Sequence, residues 1–158
     1  MSRKDNKYKL LNRLTELSEP YQKGCYNELW SQWVLVDYVD SKNSTGMKQR
    51  IIEWNTLDLD NQEKENDYIC FCSHKPIYEL NFMENSENGN RCVIGSCCIK
   101  KFSSKGYARK IRIEQGKIKG NRYCSVCQRK LPDTLEKWKH AHRTCYYKGS
   151  KKKIYDSY

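Results

Sequence analysis

Cysteine and histidine fall into two clusters whose spacing limits what this chain can fold into. The first is Cys70-x-Cys72-x-His74, completed by the adjacent pair Cys97-Cys98. The second is Cys124-x-x-Cys127 followed by His142-x-x-Cys145. Thiolate is a soft anionic ligand and imidazole a borderline one. Four such donors close a tetrahedral shell around zinc and leave no open position for chemistry. A site of that kind staples a fold, so the expectation is a small metal-stabilised binding module that is not an enzyme, with two zinc ions per chain. The expected ligands are Cys70, Cys72, His74 and one of Cys97 and Cys98, then Cys124, Cys127, His142 and Cys145. Only one of the adjacent pair can reach the ion, because neighbouring side chains on a helix diverge by about 100°.

The composition agrees with a stapled fold. Among 158 residues 37% are hydrophobic, and the mean hydropathy is −0.98. So polar a chain builds little core, and bound metal can supply the missing stability. Nine cysteines with no apolar leader near Met1 point to a reducing, intracellular compartment, where thiols bind metal rather than pair. No apolar run is long enough to span a membrane. Neither a membrane partner nor a small-molecule substrate is expected.

The net charge of +11 is unevenly spread. Residues 1–69 hold 10 Lys/Arg against 12 Asp/Glu, whereas residues 70–158 hold 20 against 7. A positive field beside zinc modules favours nucleic acid as partner, DNA before RNA. The candidate phosphate contacts are Lys100, Lys101, Lys105, Arg109, Lys110, Arg112, Lys117, Lys119, Arg122, Arg129 and Lys130. Tyr107 and Tyr123 lie among them and could stack on bases, or simply pack.

Periodicity gives an α+β chain. Tyr8, Leu10, Leu11, Leu14 and Leu17 predict a helix over 6–18, capped by Asp5 or Asn6. Strands are expected at Trp33–Val39 and Ile51–Leu59, with a polar loop at Lys42–Gly46 and an acidic connector at Asp60–Asp67. Trp30, Trp33 and Trp54 are expected in the core. Ile77–Met83 and Arg91–Ile94 form a hairpin around the Asn88-Gly89 turn. Ser96 caps a short helix over 97–102. Lys110–Ile113 and Lys117–Lys119, flanking Gln115-Gly116, read as a basic second hairpin, and Asp133 with Glu136 as the start of a helix over 134–142. Three regions follow: 1–67 as a separate layer that supports a homodimer, 68–147 as a tandem zinc module, and 148–158 as a basic mobile tail. Cys25 and Cys92 read as buried small hydrophobes, and His140 as exposed.

The order of knuckle, hairpin and helix N-terminus in the first cluster resembles a treble clef. The run from Cys70-Phe71-Cys72-Ser73-His74-Lys75-Pro76 through Val93-Ile94-Gly95-Ser96-Cys97-Cys98-Ile99-Lys100-Lys101-Phe102 resembles a Cys/His motif of small proteins of nucleocytoplasmic large DNA viruses. Cys124-x-x-Cys127 with Trp138-Lys139-x-x-His142-x-x-Cys145-Tyr146 resembles the continuation of that motif. His142 stands where cysteine is usual there, an exchange that keeps a zinc ligand. The resemblance covers residues 68–147 and selects Cys98 over Cys97. It implies zinc binding and a viral setting, in the host cytoplasm, the viral factory or the virion, but no particular activity. A protein–protein adaptor is the alternative function. A nuclease fits less well, because His140 has no carboxylate cluster beside it to build a catalytic metal site.

Overall fold

The structure is a computed structural model, and it describes residues 3–40, 46–57, 68–136, 139–142 and 145. The expected polar loop, apart from Gly46, the acidic connector and the basic tail lie outside the described residues. Helices and one small antiparallel sheet make an α+β chain, as expected. Contacts divide it into two compact units, Met1–Arg109 and Lys110–Tyr158.

In the first unit, helix α1 (Arg3–Leu17) lays Leu10, Leu11, Leu14 and Leu17 into the core. The leucine stripe is what makes this segment helical, since propensity alone holds a 15-residue helix only marginally. Asp5 lies in the first turn rather than at the cap. The far end is closed by the hairpin turn: Asn88 and Asn90 each donate a side-chain N–H to the Leu17 carbonyl, at 2.9 and 2.8 Å. A short helix α2 (Tyr26–Ser31) leads into strand β1 (Trp33–Asp40). Trp30 and Trp33 are buried, so they are core residues and have no free face for bases.

Strand β1 pairs antiparallel with β2 (Glu79–Asn85), with Trp33 opposite Asn85 and Tyr38 opposite Asn81. The register slips between Leu35 and Asp37, which leaves Val36 as a bulge. Strand β2 in turn pairs with β3 (Arg91–Gly95) across the expected turn. The β1–β2 ladder joins Trp33–Asp40 to Glu79–Asn85 in one sheet, and contacts group Met1–Arg109 as one unit, so the expected boundary at residue 67 is not where these contacts divide.

The second expected strand, Ile51–Leu59, begins inside a helix instead, α3 (Met47–Trp54), and residues 55–57 form no strand. The spacing of the packed residues is three: Ile51 is buried, and Trp54 lies 5.6 Å edge-on from Phe82 while donating its Nε1–H to the Met83 carbonyl. Asn55 and Thr56, just after it, bond the outer edge of β3 at Val93 and Arg91. Phe71 N–H adds a fourth bond to the same edge, at the Val93 carbonyl, which leaves little of it open to another chain. Helix α4 (Ser96–Phe102) follows β3 directly. Its N-cap is Gly95, not Ser96; the Ser96 hydroxyl instead accepts a hydrogen bond from the buried Asn81 at 3.0 Å.

The expected basic hairpin is a helix, α5 (Lys105–Ile118). Gly116 suggested a turn but lies within the helix, under the Tyr123 ring. A Cβ built there would overlap the Tyr123 hydroxyl and sit 2.6 Å from its Cζ. The helix stops at Gly120, whose φ of +93° puts it in the left-handed region. Gly120 N–H then bonds the Lys117 carbonyl and Asn121 N–H the Gly116 carbonyl, the paired closure that ends many helices. Gly116→Ala would normally favour a helix by about 1 kcal/mol. Here it should destabilise the second unit by about 1–3 kcal/mol, because Tyr123 must move. Chemical denaturation read on that unit's own signals checks the sign.

The expected helix over 134–142 is not formed at the described residues of that stretch. Its chain turns at Pro132–Leu135 and then returns, and the His140 carbonyl accepts a 2.6 Å bond from Ser125 N–H. That return brings His142 to the second cluster, and a helix propagated from Asp133 would break it.

Candidate metal centres

Each cluster begins in a tight turn that aims backbone N–H groups at sulfur. In the first, Cys70 N–H bonds the His74 carbonyl and Ser73 N–H bonds the Cys70 carbonyl, at 2.9 and 2.8 Å. Ser73 takes a φ of +71°, and this lets His74 N–H reach Cys72 Sγ at 3.4 Å. In the second, Cys124 N–H bonds the Arg129 carbonyl and Gln128 takes a φ of +62°. Val126 and Cys127 N–H both point at Cys124 Sγ at 3.4 Å. In both turns a left-handed, non-glycine residue follows the second cysteine. That local strain persists where surrounding bonds impose it, and here it aims donors at a thiolate.

The second group closes as the sequence predicts. Cys124, Cys127, His142 and Cys145 bring their ligand atoms within 4.8 Å of one another. His142 Nδ1 lies 3.4 Å from Cys127 Sγ, while Nε2 lies 3.1 Å from the Lys130 carbonyl. A carbonyl can only accept, so Nε2 carries the proton and Nδ1 is left as the donor atom to a metal. Burial raises the Cys124 thiol, but the N–H groups of Cys127, His142 and Val126 outweigh it and hold the group down to about 6. The donor set and the tautomer together fit a metal ion.

The first group is different. Cys70, Cys72 and Cys98 converge with their sulfurs within 4.8 Å, and all three residues are buried. Cys72 and Cys98 Sγ are 3.4 Å apart. Gly95 N–H points at Cys70 Sγ at 3.3 Å, at a place with no room for a side chain: a Cβ on Gly95 would lie 2.9 Å from Ile77 Cγ2. Hydrogen bonds from Cys70 and Cys98, with the His74 backbone, hold Cys72 down to about 3, whereas burial pushes Cys70 up. Cys98 is the helical cysteine that joins the group, whereas Cys97 is exposed. His74 is exposed and its imidazole is not part of the group. Cys92 is buried alone, and burial raises its thiol.

Arg13 was missed from sequence. Its Nη1 donates to the Phe71 carbonyl at 2.6 Å and to Ser73 Oγ at 3.0 Å, which ties α1 to the turn between Cys70 and His74. The signal was present, since Arg13 interrupts the stripe Leu10, Leu14, Leu17 at a position where an apolar residue belongs. A cation there needs a fixed partner. Arg13→Ala should therefore weaken metal at the first group by about 10-fold while the second group is unchanged. Competition against a chromogenic chelator checks this.

The basic candidates fall on three elements. Lys100 and Lys101 are exposed on the last turn of α4. Lys105, Arg109, Lys110, Arg112 and Lys117 are exposed on α5, with Lys119 just beyond it. Arg129 and Lys130 are exposed on the second turn. Arg122 is committed to the fold, donating to the Leu135 and Glu136 carbonyls. Both tyrosines make packing contacts. Tyr107 donates to the Trp33 carbonyl at 2.8 Å and lies 5.1 Å from the Trp30 ring, and Tyr123 covers Gly116. No described helix is long and apolar enough to cross a membrane. Both Cys/His groups could hold a metal ion; no family model, no curated protein and no solved structure matches the chain.

Proposed function

We propose that the chain is a non-enzymatic zinc protein, with treble-clef-like units, that binds nucleic acid, DNA in the first place. The setting is that of a nucleocytoplasmic large DNA virus, in the host cytoplasm or viral factory. The observation that carries this reading is α5. In 14 residues it holds Lys105, Arg109, Lys110, Arg112 and Lys117 against one acid, Glu114, which pairs with Lys117 at 3.2 Å. Zinc suits the four-donor set of thiolate and imidazole in the second group, and the three thiolates of the first offer it soft donors as well. Two ions per chain hold the turns beside the basic residues in place, so little ordering entropy is lost on binding.

Contacts of this kind go to phosphate and do not read bases. Binding should be weakly sequence-specific and steep in salt. With about six phosphates neutralised, affinity should fall on the order of a thousandfold from low to moderate salt. Fluorescence anisotropy on double- and single-stranded DNA and on RNA, titrated with salt, tests this. A salt-insensitive complex would sink it.

One observation favours an adaptor as second reading. Val34 and Val36 are 36% and 46% exposed on β1, the outer strand of the sheet. A homodimer through that strand is the simplest form of such a contact, and a monomeric mass by light scattering would remove it.

A further inference from the structure

The two metal groups are not equivalent, and the difference lies in the fourth ligand. The second group has four protein donors in reach of one ion. The first has three thiols, and among the described residues no further His, Cys, Asp or Glu joins them. The two side chains nearest in sequence are placed elsewhere. His74 is exposed, and its backbone is pinned on both sides of the peptide: its N–H points at Cys72 Sγ and its carbonyl accepts from Cys70. Cys97 is exposed one residue before Cys98 on α4, where successive side chains diverge by about 100°. The three sulfurs are themselves buried, with Cys70 and Cys72 at 0% and Cys98 at 4% exposure, which leaves little path for water to act as fourth ligand.

We infer that Cys70, Cys72 and Cys98 form a three-coordinate thiolate site, and that it takes a thiophilic ion in preference to zinc. Zinc strongly prefers four donors, so at this site it is under-coordinated and exchangeable. Ions with soft, low-coordinate chemistry, such as cadmium, cuprous copper or trivalent arsenic, are satisfied by sulfur alone. Charge then selects among these ions: three thiolates leave −2 on cuprous copper and −1 on cadmium, as on zinc, but none on trivalent arsenic, and buried net charge is costly. The reaction with arsenite needs no redox partner. As(OH)3 and three thiols give As(SR)3 and three waters, each S–H proton leaving with one hydroxide.

This inference rests on the metal half of the proposed function and not on its nucleic-acid half. Its readouts are thiols and metal, so failure of DNA binding would leave it standing. The test uses the full reduced chain loaded with two equivalents of zinc. Arsenite is added, free thiols are alkylated, and protected cysteines are mapped by mass spectrometry. The expected result is one arsenic per chain, one zinc released, and protection of Cys70, Cys72 and Cys98 while Cys97 alkylates. Cys98→Ser should weaken arsenite binding on the order of a hundredfold, because one arm of a chelate is lost. His74→Ala, at an exposed position that should not affect folding, should leave stoichiometry and affinity unchanged within about twofold. Loss of the first site's metal in His74→Ala would overturn the inference and make His74 the fourth ligand. Failure of arsenite to displace zinc, or arsenic protecting only Cys124, Cys127 and Cys145, would overturn it equally.

Discussion

Cys124→Ser should unfold the second unit and leave the three-stranded unit folded. The asymmetry comes from what each unit buries. Among the described residues, the second unit's hydrophobic cluster has Cys124, Leu131 and Ala141 as buried members, with Val126, Cys127, Leu135 and Cys145 packed against it. Two of its four partly buried members and one of its buried ones are themselves metal ligands. Burying Leu131 and Ala141 contributes only a few kcal/mol, at about 1.5–3 kcal/mol for a full leucine side chain. Structural zinc in small modules contributes about 10–16 kcal/mol, and that binding energy is folding energy. Serine at 124 removes one soft anionic donor and the acceptor for two backbone N–H groups at once. The first unit has Leu10, Leu14, Trp30, Trp33, Phe82 and Ile94 in its core and does not depend on that site. Limited proteolysis with mass mapping should show cleavage confined to residues beyond 109. Protection of the second unit in the variant, or after chelation, would refute the claim.

Much of this architecture was legible because short-range signals carry it. The leucine stripe gave α1, Asn88-Gly89 gave the β2–β3 turn, and the aromatic and β-branched run gave β1. The metal ligands were legible because their spacing is a chemical requirement, and the structure brings together seven of the eight expected donors. His74 is the exception. Spacing could place it in the knuckle but could not show which way its side chain turns. The misread elements share one cause. Ile51–Trp54 and Lys110–Ile118 are short segments in which apolar residues fit either period, and tertiary contacts decide between them. At α3 the deciding contact is Trp54 against Phe82 and Met83. At α5 it is Tyr123 over Gly116, a close approach that looked like a turn from sequence. The helix expected after Asp133 had good capping residues and lost to a non-local demand, the return of His142 to Cys127. Gln32, Asn81 and Asn85 are buried and bonded across long sequence separations, so nothing local announced them.

Reversing Arg109, Lys110 and Arg112 to glutamate should abolish most nucleic-acid binding without releasing metal. Helical geometry sharpens this prediction. Lys105, Arg109 and Arg112 lie at i, i+4 and i+7 of α5, so they share one stripe, with Lys110 about 100° round from Arg109. A hairpin would have split the same residues over two faces. A polyanion tracking that stripe meets Arg109 and Arg112 together, and each phosphate contact contributes about 0.9 to the slope of log affinity against log salt. Losing three contacts should flatten the slope by about 2.7, and the new carboxylates repel what remains. The effect should be equal across sequences, because no base is being read, and on single strands the slope should flatten by about 2.1 instead. None of the three residues is a metal ligand, so zinc content should remain at two per chain. Arg122→Ala is the contrasting variant. Its guanidinium holds the Leu135 and Glu136 carbonyls, so it should lower the stability of the second unit by about 1–2 kcal/mol and leave the salt slope nearly unchanged. A triple variant that keeps the wild-type slope would show that phosphate is not met on α5, and would transfer the argument to the exposed valines of β1.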